Sequence, residues 1–276
     1  MNDLRTLIAV ASARLAGEDA RSEAEILLAH VLERTRAWLF AWPEHVPNAA
    51  QAAAFERLVE ARAGGKPIAY LLGRRAFWSF DLALTPAVLI PRPETELLVG
   101  LALERLPRDV ACTVADLGTG SGAIALALAH ERPLARVRAT DRSADAIAVA
   151  QANAQRLGLA NVEFACGDWC EALGGMRFEV IVSNPPYIAS EDPHLSRGDL
   201  RHEPLSALAS GEDGLDAIRT IVATAPSHLL PGGWLLLEHG WEQAPQVREL
   251  FVRNGGRDAA SARDLAGHER VTFARF

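Results

Sequence analysis

From about Glu94 onward, short apolar and β-branched runs (TVADLG, ARVRATD, VEFACG, FEVIVSN, GGWLLLEHG) alternate with helical stretches (GAIALALAHE, ADAIAVAQANAQRLG, GLDAIRTIVATAPSHLL, APQVRELFVR). Strands of this length and apolar character are buried ones, and the helices between them supply the crossovers that parallel neighbours require. The alternation therefore predicts an α/β domain with a mostly parallel sheet. The last segment, up to ERVTFARF, predicts one or two further strands that form a closing antiparallel hairpin.

The first sixty or so residues obey another rule. Leu4, Leu7 and Ile8, then Ile26, Leu27 and Val31, then Phe55, Leu58 and Val59 recur three and four apart, which predicts a small helical bundle. Ser22 and Glu25 have capping-box spacing ahead of ILLAHVLE, and Asn48 behind Pro47 is a second N-cap. LIAVASARLAG resembles a signal-peptide core, but Asp3 precedes it and Arg14 interrupts it, so an amphipathic helix explains it better. AGGKP breaks the helical pattern, and FWSFDLALTPAVLIPRP, aromatic with prolines at its punctuation points, predicts a hairpin linker. The expected organisation is a bundle over 1–65, a β-hairpin linker over 66–92 and the α/β domain over 93–276.

Composition narrows the partners. With 28 basic against 35 acidic residues, the net charge of -7 gives no general attraction to phosphate backbones or anionic lipid. No apolar run approaches the roughly 18 residues that span a bilayer. Cys112, Cys166 and Cys170 are too few and odd in number for a disulfide framework, which favours a reducing compartment. No histidine or further cysteine completes a zinc set around them, so no metal is expected and all three read as small buried apolar residues.

The chemistry gathers at the strand ends. DLGTGSGAIALALA carries Gly118, Gly120 and Gly122 at the handover from a strand to a helix N-terminus, where the main chain turns tightly and can approach a nucleotide. Tight strand-to-helix packing is the competing explanation. The Gly-x-Gly-x-Gly spacing departs from the dinucleotide fingerprint, which argues against NAD. Asp141 closes the next strand about 20 residues on, where a carboxylate accepts from ribose hydroxyls or, alternatively, caps the following helix, a role open to Ser143. At the third strand end Asp168 can accept an exocyclic amine and Trp169 can cover an adenine face; a solvated loop aspartate and a core tryptophan are the plainer readings. At the fourth, VIVSNPPYIAS stops at Asn184, Pro185, Pro186 and Tyr187.

In this order, DLGTGSG, Asp141, GDW and NPPY resemble the class I S-adenosylmethionine-dependent amino-methyltransferases, which methylate planar amino groups. The stretches VLIPRPETE, RHEPLSALASGEDGLDAIR, LLLEHG and RDLAGHERV, together with the order of parts, resemble the release-factor glutamine methyltransferases, the PrmC/HemK family. The resemblance implies a Rossmann-like domain with a seven-stranded sheet and the transfer of a methyl group from S-adenosyl-L-methionine to the glutamine amide nitrogen (N5) of the Gly-Gly-Gln tripeptide in peptide chain release factors. S-adenosyl-L-homocysteine is the product.

Carried over by position, Gly118, Thr119, Gly120, Ser121 and Gly122 hold the methionine moiety, Asp141 the ribose, and Asp168 and Trp169 the adenine side. Asn184, Pro185, Pro186 and Tyr187 hold the glutamine, with Asn184 also bordering the cofactor. The Asn184 side-chain oxygen and the Pro185 main-chain oxygen each take one N–H of the substrate. The stiff turn aims that carbonyl, and Tyr187 forms a face against the flat group. Arg92, Glu94, Glu96 and Glu203 either order lids over the site or pair on the surface. The helical domain docks the release factor, and the chain is expected to be monomeric and cytoplasmic, without membrane or stable nucleic-acid partners.

A DNA adenine-N6 or cytosine-N4 methyltransferase, or an rRNA amino-methyltransferase, would share the core. The acidic balance and the lack of a recognition domain after NPPY count against these. A non-catalytic cofactor-binding adaptor is the rival from another class, and the intact tetrapeptide speaks against it.

Overall fold

The computed structural model describes residues 2–15 and 17–276. Two compact units emerge, one ending at Arg74 and the other spanning Arg75–Phe276. The first holds α1 (Leu4–Arg14), α2 (Ala20–Leu32), α3 (Arg36–Ala41), α4 (Ala49–Ala63) and α5 (Ile68–Leu72). Leu4, Ile8, Leu27, Leu28, Phe55 and Val59 form its core, following the three-and-four periodicity. Asn48 caps α4 in a full capping box with Gln51. The Ser22–Glu25 box does not form. The chain enters α2 earlier, behind Asp19, which leaves Ser22 and Glu25 inside the helix. Glu25 is instead buried and accepts from Arg21 at 3.1 Å and Arg36 at 2.6 Å.

The second unit begins within a hairpin of β1 (Arg74–Phe77), whose first residue closes the first unit, and β2 (Phe80–Ala83), after which Thr95–Arg105 forms α6, a helix the strand-centred sequence pattern did not mark. There follow β3 (Thr113–Leu117), α7 (Ala123–Glu131), β4 (Arg136–Asp141), α8 (Ala144–Leu157), β5 (Val162–Cys166), β6 (Phe178–Ser183), α9 (Asp216–Thr224), β7 (Leu229–Glu238), α10 (Ala244–Arg253), β8 (Arg257–Arg263) and β9 (Glu269–Arg275). The sheet order is β5-β4-β3-β6-β7-β9-β8. Strands β5 to β7 are mutually parallel, and β9 enters antiparallel to both β7 and β8.

Residues Ala123–Ala129 of α7 are all buried, so Ile124, Leu126 and Leu128 each contribute about 1.5–3 kcal/mol of burial against the sheet. The helix expected over GLDAIRTIVATAPSHLL ends at Thr224, because Pro226 cannot continue it; a short 3₁₀ turn leads into β7. Cys112 and Cys170 are buried as expected, whereas Cys166, last in β5, is exposed. Among the described residues no helix is long and apolar enough to cross a membrane, and no group of three or more His, Cys, Asp or Glu could hold a metal ion.

Candidate active site

Strands β3 and β6 are neighbours, Leu117 opposite Ser183, although β4 and β5 lie between them in the chain. The strand order reverses there: β4 and β5 extend to one side of β3, and β6 and β7 to the other. In an open α/β sheet such a reversal opens a crevice beyond the carboxyl ends of the strands. A cavity of about 490 Å³ lies at this place, lined by Gly118, Gly120, Asp141, Asp168, Trp169, Asn184 and Pro186 among others.

The glycine loop is built by its backbone. Gly118, Gly120 and Gly122 all have positive φ, and the amides of Gly118 and Thr119 both donate to the Thr140 carbonyl, at 2.9 and 2.8 Å. A Cβ on Gly120 would meet nothing within 4 Å, so its main chain stands open to the cavity. Gly118 lies under the Trp169 ring, where a Cβ would come within 3.2 Å. The other loop residues stand behind this surface. The Thr119 hydroxyl donates to Asp116 Oδ2 at 2.7 Å, Ser121 is buried, and Gly122 packs on Leu126. Asp116 is fully buried with Oδ1 unpartnered, and burial raises its pKa to about 7, against the hydrogen bonds from Thr119 and the Ala125 amide.

Asp141 is anchored on both oxygens: Gly120 N–H donates to Oδ2 at 2.9 Å and Ser143 N–H to Oδ1 at 2.9 Å. Ser143, not Asp141, caps α8. The carboxylate is thus fixed at the cavity wall and keeps further lone pairs for a ligand. Asp168 is exposed at the rim, and Trp169, at φ 40°, lays its ring along the same wall.

Asn184 borders two spaces, the large cavity and a recess of about 60 Å³ lined by Leu89, Arg92, Pro185, Pro186 and Tyr187, among others. Its Nδ2 donates to the Thr95 hydroxyl at 3.1 Å, which leaves Oδ1 as an acceptor. Pro185 and Tyr187 line the recess and not the large cavity. The Tyr187 hydroxyl donates to Glu238 Oε1 at 3.3 Å; burial first, then the neighbouring Glu238, push its pKa up.

Supporting residues complete the site, among them Asn153, which no motif marked. Asn153, fully buried in α8, donates to the carbonyls of Ala83 and Ser121, both at 3.0 Å, and so ties the hairpin to the glycine loop. Glu96 accepts from the Trp78 amide at 2.8 Å. Arg92 pairs with Glu203, and Glu203 also accepts from Ile90 N–H at 2.9 Å. Glu203 is only 6% exposed, so this pair is an internal clasp between two walls of the crevice and not a surface ion pair. The signal for Thr95 was weak: a threonine at a helix start normally reads as local capping.

The Gly loop, the anchored Asp141 carboxylate and the reversed strand order define a class I methyltransferase fold. A methyltransferase from Pyrococcus furiosus shares it, with a TM-score of 0.54 at 21% identity over 79% of this chain and 96% of that one. Residues 95–198 match the methyltransferase small domain, and residues 6–73 match the PrmC N-terminal domain. The release factor glutamine methyltransferase of Xylella fastidiosa (strain Temecula1) is 55% identical over 98% of this chain and 96% of its own length. That of Escherichia coli (strain K12) is 48% identical over 95% and 94%. The chain belongs to the release factor glutamine methyltransferase family.

Proposed function

We propose that the chain transfers a methyl group from S-adenosyl-L-methionine to the side-chain amide nitrogen (N5) of the glutamine in the Gly-Gly-Gln tripeptide of peptide chain release factors. The observation that carries this reading is the direction of the Asn184 amide, whose nitrogen is committed to Thr95 while its oxygen stays free beside both cavities. An amide NH₂ is a poor nucleophile because its lone pair is delocalised into the carbonyl. It gains positive charge as it attacks, so the site has to present acceptors and not a strong base. Asn184 Oδ1 and the Pro185 carbonyl are those acceptors, and fixed dipoles of this kind stabilise charge that exists only in the transition state.

The recess suits an amide better than a base. Roughly 10–15 Å³ of such space holds one water, so about 60 Å³ admits a few heavy atoms, fewer than a purine has. The large cavity suits the methyl donor. Among the described residues, Asp141, Asp145, Asp168 and Asp216 face it against the single cation Arg142, a balance that favours a positively charged ligand. When bound there, S-adenosyl-L-methionine supplies an electrophilic methyl on a sulfonium. Gly118 and Gly120 hold its methionine part through the main chain, Asp141 the ribose, and Asp168 and Trp169 the adenine side. The helical unit docks the release factor, and the chain acts as a cytoplasmic monomer.

The test is to incubate the protein with labelled S-adenosyl-L-methionine and, separately, with release factor, with a Gln→Ala variant of its Gly-Gly-Gln tripeptide, with genomic DNA and with rRNA. Label is expected on intact release factor alone. Label on nucleic acid instead would reverse the assignment.

A further inference from the structure

Arg92, between Pro91 and Pro93, lines the recess of about 60 Å³ beside Asn184, Pro185 and Tyr187. Its Nη2 donates to Glu203 Oε1, and Glu203 Oε2 receives the Ile90 amide at 2.9 Å. The Glu203 side chain is wholly buried while that of Arg92 is 31% exposed, so the pair keeps its anion inside and its cation toward the recess. Nε and Nη1 of Arg92 have no protein partner among the described residues, and a guanidinium does not give up its protons. The other side-chain donors around the recess are engaged: Asn184 Nδ2 donates to Thr95 and the Tyr187 hydroxyl to Glu238. So are the amides of Ile188, Ala207 and Leu208, which donate to carbonyls, and Pro185 and Pro186 have no N–H.

We propose that Arg92 is the specificity residue of the recess, donating to the carbonyl oxygen of the substrate amide while Asn184 Oδ1 and the Pro185 carbonyl take its N–H groups. This rests on the reading of the substrate as a glutamine side chain. A carboxamide is flat and nearly symmetric in shape, with donors at one end and an acceptor at the other. A recess of acceptors alone would hold the NH₂ and leave the C=O without a donor, and a buried unpaired carbonyl costs binding. With a guanidinium in the same recess, only one of the two flipped orientations is accepted, the one that turns nitrogen toward the methyl donor. Glu203 acts through Arg92. A buried ion pair contributes little net stability over an apolar one, and what this pair fixes is the direction of the guanidinium.

The contact belongs to binding and not to the chemical step. Before attack the nitrogen lone pair is delocalised onto the carbonyl oxygen, which is then at its most negative. As nitrogen turns that pair to the methyl group, the oxygen loses charge and the guanidinium contact weakens. An interaction made in the ground state and not strengthened in the transition state lowers KM without raising kcat. Asn184 and Pro185 act in the opposite sense, on charge that appears only during attack. A site that hydrogen-bonds a polar group also rejects a side chain lacking that group, because its own donor is then left unpaired. An amine or an apolar side chain of glutamine's length is therefore excluded.

The experiment measures the affinity of the full chain for release factor, with S-adenosyl-L-homocysteine present to prevent turnover. It forms a cycle of two changes, Arg92→Met in the protein and Gln→Met in the Gly-Gly-Gln tripeptide. Arg92→Met leaves Glu203 buried without its cation, so the cycle is repeated in a Glu203→Gln background, with melting temperatures to confirm folding. Arg92→Met should weaken binding of intact release factor roughly 10- to 100-fold, the usual loss for a hydrogen bond to a charged group, and change affinity for the Gln→Met release factor by less than about twofold. With labelled S-adenosyl-L-methionine, KM for release factor should rise by a similar factor, while kcat stays within about threefold and cofactor affinity within about twofold. Equal losses for the two release factors in both backgrounds overturn the proposal, since a distorted recess weakens both alike. So does a wild-type KM, a loss carried by kcat alone, or a matching loss of cofactor affinity. A wild type that labels no release factor removes the substrate reading and this inference with it; a wild type that labels it while the cycle shows no coupling overturns the inference alone.

Discussion

The Ser183 hydroxyl donates to the Leu117 carbonyl at 2.6 Å, joining the last residues of β6 and β3 immediately before Asn184 and Gly118. Both residues are fully buried. The bond therefore reinforces the β3–β6 ladder at the point where the two loops of the proposed chemistry diverge. Ser183→Ala should cost about 1–2 kcal/mol, the usual loss for a buried hydrogen bond. It should also reduce turnover severalfold, because misplacement at a reacting centre is expensive. Urea denaturation and steady-state kinetics read the two effects, and unchanged values in both would deny the bond any structural role.

Asn184→Ala should lower turnover by roughly 100- to 1,000-fold, the usual loss for one oriented transition-state dipole, while leaving cofactor affinity nearly intact. The separation follows from position, since Asn184 lines both the large cavity and the recess, whereas Gly118, Gly120 and Asp141 line the large cavity alone. Full turnover in this variant would remove the side-chain oxygen from the reaction.

Asp141→Ala should weaken S-adenosyl-L-methionine binding by roughly 10- to 100-fold, since hydrogen bonds to a charged group contribute about 1.5–3 kcal/mol each. A second effect follows from the structure. The carboxylate also receives the Gly120 and Ser143 amides, so its removal loosens the glycine loop itself. Calorimetric titration measures the affinity, and a wild-type value would take Asp141 out of the pocket.

The parts of this molecule that follow a period were legible in the sequence. The strand-helix alternation gave the parallel sheet, and the glycines gave the loop, because Gly118 and Gly120 adopt backbone angles that other residues resist. Asn184 was legible through its prolines. Thr95 and Glu238 were not read as parts of the site, although both lay in stretches that marked the family. Their roles arise from contacts 89 and 51 residues away from Asn184 and Tyr187, and no local pattern encodes such a distance. Glu25 misled for the opposite reason: its spacing from Ser22 suited a cap, but Arg21 and Arg36 hold it in the core.

Gly214 is the glycine whose replacement should be least tolerated near the site. At φ +78° it already occupies a region other residues enter with strain, and an added Cβ would stand 2.3 Å from the Tyr187 carbonyl oxygen. Gly214→Ala should therefore push Tyr187 out of register, with at least about 1–3 kcal/mol lost to backbone strain alone. A lowered melting temperature together with reduced turnover is the expected pair of results; a variant that keeps both would place Tyr187 on a more yielding segment.

The two buried carboxyls make stability depend on pH in a direction opposite to the common carboxylate case. Burial raises the pKa of Asp116 from 3.8 to about 7 and that of Glu238 from 4.5 to about 7. Between those limits the folded chain keeps a proton that the unfolded chain has released. Stability from these groups is therefore fully present below about pH 4 and is lost as pH rises through 7, by roughly 4 kcal/mol for Asp116 and roughly 3 kcal/mol for Glu238. His239, whose pKa burial lowers, acts in the opposite sense, because the unfolded histidine takes up a proton as pH falls through 6.5. Asp213, held low by its hydrogen bond from Arg219, also opposes them, but only at more acid pH. The clean measurement is thus a difference: urea unfolding of the wild type, Asp116→Asn and Glu238→Gln from pH 5 to 8. Each variant should lose its share of the downward slope, so that its stability relative to wild type improves as pH rises. Curves that stay parallel to the wild type across this range would mean that the two carboxyls titrate as if in water.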